Sequence, residues 1–470
     1  MLFSSYTFVI IFLPLLIIAY YLCPAGWRNS LLLVASLVFY AWGGPAYLMV
    51  MLASIFINYV SGLAVDAFRD APSAKKRAIA AAVVLNLLLL GYYKYTDFLI
   101  ENINAIIGCS IPLRNIILPI GISFYTFQGM SYVFDIGRGR GKVLKNPLKL
   151  ALYISLFPQL IAGPIVRYET IAAQIDERRV DATRLNEGIF RFVIGLSKKI
   201  LLANFIGEFA DICFSSATGS LTPVSSWVGI LSYTLQIYFD FSGYSDMAIG
   251  LGAVFGFSFP ENFAYPYCAQ SITDFWRRWH ISLGTWFRDY VYIPLGGNRK
   301  GIYRQFFNIL VVWFLTGLWH GASWNFVVWG LYYAVLLILE KAVMSKARIR
   351  IPSIFRHIYT FVFVMIGWLI FNSQSLDHTI SYLGRMFDFS YKRSIWASEL
   401  VHIWREYGIV ILAGCFFCTP AAKKIFAMIE KKVSASAYEI IKSAVMVILF
   451  IACFLRLVVG SYNPFIYFRF

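Results

Sequence analysis

Two histidines in this chain have surroundings suited to proton transfer. His320 lies in "FLTGLWHGASWNFVVWG", residues 314–330, inside a stretch from Phe306 to Leu339 that contains no Lys, Arg, Asp or Glu. An imidazole that titrates near neutrality can take the proton of a hydroxyl. That chemistry needs a second reactant holding an electrophile, which the histidine alone does not identify. His280 lies in "FWRRWHISLGTWFRDYVYIPLGGNR", residues 275–299, where charge is crowded into an otherwise apolar chain. The structural alternatives are a turn residue for His320 and a buried imidazole bonded to a carbonyl for His280.

A third constellation is "YFDFSGYSDMAIGLG", residues 238–252. Asp240 and Asp246 fall about 120° apart on a helix. Carboxylates in an apolar setting serve as a proton relay or as members of a buried network. A glycosidase pair would need a sugar cleft, which nothing else suggests. A structural network with arginine partners is the favoured reading.

These residues need elements to hold them. As one helix, Phe306–Leu339 would run about 50 Å against a hydrocarbon core of roughly 30 Å. The chain must break, and "TGLWHGAS" is the place, because Gly317 and Gly321 permit a break or close helix approach. A histidine at a break inside the membrane lines a cavity, since freed backbone there needs polar company. Around His280 the pattern predicts a single amphipathic helix. Trp276, Trp279, His280, Leu283, Trp286, Phe287 and Tyr290 share one face, and Asp274, Arg277, Arg278, Ser282, Thr285, Arg288 and Asp289 the other, with Ile281 and Gly284 as exceptions. Such a helix suits an interface or a funnel wall and is too polar to span lipid.

Composition sets the class. The chain is 59% hydrophobic and 14% charged, with mean hydropathy +0.68, far outside the soluble range. Apolar runs at Tyr6–Leu22, Leu31–Trp42, Leu48–Val65, Ile79–Tyr93, Leu118–Val133, Trp227–Tyr238, Phe306–Leu318, Phe326–Leu339, Ile358–Phe371, Ile409–Phe417 and Ala444–Val459 predict an all-α polytopic membrane protein. The first run lacks a basic n-region and a small-residue cleavage site, so it reads as a spanning helix. The net charge of +17 would suggest nucleic acid in a soluble protein. Here Arg69, Lys75, Lys76 and Arg77 fill one loop, and Arg138, Arg140, Lys142, Lys145 and Lys149 another. Basic loops between apolar runs are orientation signals. They make both loops cytoplasmic and the N-terminus external, and they exclude nucleic acid as a partner.

Seven cysteines are scattered. Cys415 and Cys418 form a CxxC without the polar, electropositive setting of a redox pair, so they read as small core residues. No metal-ligand spacing occurs. Polar connections at Asp176–Arg191 and Met344–Ile351 are candidate breaks, but no linker separates domains, and residues 1–470 read as one integral membrane domain.

The segments "FWRRWHISLGTWFRDYVYIPLGGNR", "LTGLWHGASWNFVVWG", "FPQLIAGPIVRY", "PIGISFYTFQGMSYVFDI" and "MLFSSYTFVIIFLPL" together resemble the membrane-bound O-acyltransferase (MBOAT) family, in particular its bacterial alginate O-acetyltransferase branch. The resemblance runs in order to about Glu340 and resumes at "NPFIYFRF". The D-alanyl transfer protein of teichoic acid synthesis shares a form of "FWRRWH" and "FRDY", whereas "YIPLGGNR", Tyr292–Arg299, resembles the polysaccharide branch. The apolar runs give roughly eleven transmembrane helices, and the resemblance implies that these, with re-entrant and amphipathic helices, surround a central funnel where donor and acceptor meet.

It also implies roles. The family's catalytic histidine matches His320, and the residue matching His280 lies in the same channel. The electrophile becomes the carbonyl of an acyl thioester, from acetyl-CoA or an acyl carrier protein, used as co-substrate with no bound cofactor. His320 would be the base. Apart from the resemblance, His280 and Asn325 are the candidate oxyanion donors, being polar groups of the two histidine motifs. Arg277, Arg278 and Arg288, with Trp279, would meet the donor's phosphates or lipid headgroups. Asp240 and Asp246 would support them. The implied activity is O-acetylation of an extracytoplasmic polysaccharide from a bacterial cell membrane, with an SGNH-type acetyltransferase as partner. A transporter or flippase subunit of a polysaccharide export system is the competing class. The aromatic setting of both histidines and the lack of an inverted repeat argue against it.

Overall fold

The computed structural model describes residues 1–216, 218–344, 351–390, 393–460 and 462–466, and it contains no strand among them. The chain runs through α1 (Leu13–Leu22), α2 (Arg28–Ala41), α3 (Pro45–Ala67), α4 (Pro72–Ile107), α5 (Ile122–Gly137), α6 (Pro147–Ser155), α7 (Phe157–Leu160) and α8 (Tyr168–Asp176). It continues through α9 (Ala182–Ser197), α10 (Asn204–Ser215), α11 (Pro223–Val254), α12 (Ile272–Arg278), α13 (Ile281–Phe287), α14 (Ile302–His320) and α15 (Trp324–Leu339). The last five are α16 (Ser353–Asn372), α17 (Leu376–Met386), α18 (Arg393–Phe417), α19 (Ala421–Lys432) and α20 (Ala435–Val459). The protein is thus an all-helical polytopic membrane protein.

Six helices among the described residues are long and apolar enough to cross a membrane: Pro45–Ala67, Pro72–Ile107, Trp324–Ala342, Ser353–Asn372, Ser398–Phe417 and Ala435–Val459. Roughly eleven runs were expected from length and hydropathy. The helices that hold two of these runs, α5 and α11, carry buried polar side chains, among them Thr126, Gln128, Asp135, Thr234, Gln236 and Asp240. Their apolar character serves packing against protein.

Two compact units emerge: Met1–Phe192 with Ser245–Glu261, and Val193–Tyr244 with Asn262–Phe470. In the first, α3 and α4 begin with Pro at their first turn, where the missing N–H costs nothing. Gly108, at φ 72°, ends α4 in the left-handed conformation that glycine favours. At Gly137 an added Cβ would stand 2.6 Å from Ile79 and 3.7 Å from Val65. The end of α5 therefore meets the end of α3 and the start of α4, and the two basic connections share one end of these helices. The Tyr59 hydroxyl donates to the Lys145 carbonyl at 2.8 Å there.

The polar stretch Asp176–Arg191 corrects a sequence expectation. Only 177–181 form a connection, and α9 already starts at Ala182. Arg191 on α9 makes a bidentate pair with Glu261, 2.6 Å at both oxygens, and meets Asp246 at 2.9 and 3.1 Å. Polarity there reflects an ion network on a helix. The Met344–Ile351 break, by contrast, falls mostly on residues 345–350, outside the described residues. Cys418 is buried as expected, but Cys415 is exposed.

In the second unit the expected break follows His320. Gly321 is extended at φ −161° and α15 starts at Trp324, so α14 and α15 form a hairpin. An added Cβ would stand 2.3 Å from the Phe326 carbonyl oxygen at Gly317 and 2.3 Å from the Trp313 oxygen at Gly330. Glycine permits this backbone approach. The helix expected across 275–290 is broken into α12 and α13, because His280 sits at φ 45° in the left-handed region. The facial pattern survives the break: Trp279, His280, Leu283, Trp286, Phe287 and Tyr290 are buried, while Arg277 and Arg288 are exposed. Ser282 is the exception, a buried residue from the polar face.

Candidate active site

His320 is the last residue of α14, where the hairpin turn delivers its ring into an aromatic cage. Its ring lies 4.9 Å from Trp319, 5.0 Å from Trp329 and 5.3 Å from Phe371, each edge-on. Such T-shaped arrangements fix ring orientation as well as burying area. The histidine lines a small cavity. Trp279, Trp329, Trp368 and Phe371 form its aromatic walls, with Phe241, Ile237, Asp240 and Ile466 closing the rest.

The α12 segment is held so that Trp279 reaches this cavity. Glu340, buried at the end of α15, accepts from the Ile272 N–H at 2.5 Å, the Thr273 N–H at 2.9 Å and the Thr273 hydroxyl at 2.7 Å. Ser271 accepts the Asp274 N–H at 2.9 Å. A carboxylate on the free N–H groups of a helix start satisfies orphan donors and complements the helix dipole. Trp279 then packs 4.7 Å from Trp368.

His280 stands one ring behind the cavity. It lies 4.6 Å from Phe241, which lines the cavity, and 6.0 Å from Trp319. Its Nδ1 is 3.3 Å from Asn262 Oδ1. That oxygen also accepts from the Ser282 N–H at 3.1 Å and hydroxyl at 2.9 Å. An oxygen already accepting two bonds can only accept a third, so His280 carries its proton on Nδ1. Burial pushes its pKa down to about 3, which keeps it neutral.

The other expected residues divide. Asn325 is buried, but its amide donates to the Ser373 carbonyl and ties α15 to the end of α16. Arg278 pairs with Asp274 at 2.9 Å and Arg288 with Asp289 at 2.6 Å, while Arg277 is exposed. None of these four lines the cavity. Asp240 does line it, and its partner corrects the arginine expectation: Lys199 stands 2.6 Å away, both side chains nearly fully buried. Asp246 does pair with an arginine, Arg191, in the first unit.

Sequence reasoning missed Lys199, Asn262, Glu340, Trp329, Trp368, Phe371 and Ile466. Lys199 and Glu340 carried a signal, each being a charge at the margin of an apolar run. The aromatics carried none, because in a chain with 18% aromatic residues another tryptophan is unremarked. Trp329 is fully buried, and its indole N–H has no acceptor among the described residues.

Residues 142–377, which include α12 to α15, match the model of the membrane-bound O-acyltransferase family. The whole chain is 38% identical to the probable alginate O-acetylase of Azotobacter vinelandii, with 100% of each chain covered. It is 36% identical to the peptidoglycan O-acetyltransferase of Helicobacter pylori over 82% of this chain and 80% of that one. The teichoic acid D-alanyltransferase of Bacillus subtilis is 31% identical over 57% of this chain and 72% of its own. A buried histidine at the hairpin turn of a polytopic helical protein, within the matched segment, agrees with these likenesses: the chain is an O-acyltransferase and belongs to the membrane-bound O-acyltransferase family.

Proposed function

We propose that this enzyme takes an acetyl group from a cytoplasmic thioester, acetyl-CoA or an acyl carrier protein, and passes it across the bacterial cell membrane for O-acetylation of an extracytoplasmic polysaccharide. The observation that carries the reading is His320 at the wall of a small, aromatic cavity. Relatives named for alginate and for peptidoglycan acetylation support a polysaccharide acceptor. His320 takes the proton of the attacking hydroxyl as its oxygen bonds to the thioester carbonyl carbon. The C–S bond then breaks, and the thiolate leaves with the proton that the imidazole held.

The oxyanion between these steps needs a donor. Asn325 and His280 direct their donors to Ser373 and Asn262, away from the cavity. The Trp329 indole, on the cavity wall beside His320, suits the role better. Arg277, Arg278 and Arg288 remain candidates for the donor's phosphates outside the cavity. The hydroxyl belongs either to the polymer or to a serine of an SGNH-type partner, and residues 1–470 work as one integral domain. The two basic connections face the cytoplasm and residue 1 the outside. Labelling from outside of a cysteine placed at position 75 or 142 would overturn that orientation.

The test is thiol release from acetyl thioester by the purified chain in detergent. Turnover that is slow alone and rises with the extracytoplasmic partner is expected. Full-rate polymer acetylation without a partner would refute the relay. No thioester turnover under any condition would leave the transporter reading in its place.

A further inference from the structure

One wall of the cavity comes from beyond α20. Ile466 ends the described stretch 462–466, and it is buried and lines the cavity beside His320. Asp240 Oδ2 accepts the Ile466 N–H at 3.0 Å, while Asp240 Oδ1 pairs with Lys199 at 2.6 Å. The Lys199 ammonium also donates to the Pro464 carbonyl. Two residues earlier, Asn204 donates to the Tyr462 carbonyl at 3.2 Å, and Phe465 packs 5.1 Å from Tyr244.

A buried ion pair costs desolvation that its attraction barely repays, so it is poor evidence of a stability device. This pair has a second result. It supplies hydrogen-bond partners to the Pro464 carbonyl and the Ile466 N–H, backbone groups that need partners when taken out of water. Ile466 is thereby held in place. The remaining walls are mainly rings locked edge-to-face, and the aliphatic side chains are Ile237 and Ile466. In a cavity this small, the branched Ile466 side chain occupies room that a longer acyl chain would need.

We propose that Ile466 sets the acyl-chain size accepted by this enzyme, and that Asp240 and Lys199 are positioning residues that hold it. The proposal rests on the reading of the cavity as the acyl-transfer chamber. Each methylene misfit in an apolar pocket alters discrimination by about 10–200-fold. With acetyl-, propionyl- and butyryl-CoA as probes and the full chain in detergent, Ile466→Ala should raise the butyryl-to-acetyl ratio of kcat/KM by about tenfold or more. Ile466→Phe should lower the propionyl-to-acetyl ratio. Asp240→Asn loses one of the two acceptor oxygens and should move the ratio in the same direction as Ile466→Ala. A purely structural role would instead lower all three rates together.

If Ile466→Ala does not fold, Ile466→Val and Ile466→Phe carry the test in opposite directions. Ratios unchanged within about twofold in the folded Ile466 variants overturn the proposal, while acetyl turnover by the wild type leaves the proposed function standing. An unshifted ratio in Asp240→Asn removes the positioning role alone. A wild type inactive on every thioester overturns the chamber reading and this proposal with it.

Discussion

Both histidines sit where a helix breaks, but the two breaks are built differently. At His320 the helix ends and Gly321 turns the chain, so the histidine keeps helical geometry and its ring enters the cavity. At His280 the histidine itself is the turn, at φ 45°, with its imidazole tied back to Asn262. A left-handed conformation costs a non-glycine residue about 1–2 kcal/mol, and the buried hydrogen bonds to Asn262 offset it. The difference teaches that a histidine in an apolar setting has two uses. Where the chain turns after the histidine in ordinary extended backbone, the ring faces a cavity. Where the histidine itself is the turn, the imidazole is committed to it.

The sharpest way to break this contrast is at His320. His320→Ala should lower thioester turnover by about 10²–10⁴-fold, the usual worth of a general base. His320→Gln should fail as well, because an amide can bond to the hydroxyl but cannot take its proton. Membrane levels measured by immunoblot should stay close to wild type. Near-normal polymer acetylation by the glutamine variant would reduce His320 to a turn residue like His280.

The next largest effect belongs to the glycine that follows His320. A Cβ at Gly321 would stand 2.1 Å from the Phe326 ring, so Gly321→Ala must displace that buried ring. Overpacking of this kind costs about 1–3 kcal/mol. A lower melting temperature in detergent, together with reduced turnover, is expected; an unshifted melt would show that the hairpin tolerates a second turn geometry.

His280 provides a smaller, pH-dependent effect. Its folded pKa of about 3 lies below the ordinary value of about 6.5. Between those limits the unfolded chain takes up a proton that the folded chain refuses. Stability from this site is therefore complete above about pH 6.5 and declines as pH falls toward 3. Asparagine tolerates the left-handed region and does not titrate, so His280→Asn should fold and lose this acid-side decline. His280→Ala should fold less well. Thermal melts from pH 4 to 7 would check this, and a wild-type melt flat over that range would contradict the neutral, committed imidazole.

The smallest effect is expected outside both turns. Arg288 is exposed and pairs with its neighbour Asp289, so it contributes little to folding. Arg288→Ala should leave the melt unchanged and raise KM for the thioester a few-fold without altering kcat, if the arginine meets donor phosphate. A KM that does not move, at low salt as well as high, would leave headgroup contact as its role.

Much of this was legible in the chain. Hydropathy alone required a polytopic helical protein, because backbone in lipid must satisfy its own hydrogen bonds. The length of Phe306–Leu339 against the bilayer required a break, and the glycines fixed it at His320. The burial of Trp279, Trp286 and Tyr290 followed from residue spacing. The tertiary structure decided what spacing cannot carry. Asp240 pairs with Lys199, a residue that is near it only after folding, and Ile466 reaches the cavity from beyond the last helix. The left-handed turn at His280 was hidden because its partner, Asn262, lies eighteen residues away on an irregular segment. Periodicity records which side of a helix faces protein, since that preference repeats every turn. Which buried charge meets which partner, and which wall closes a cavity, depends on contacts between distant segments, and no local pattern encodes them.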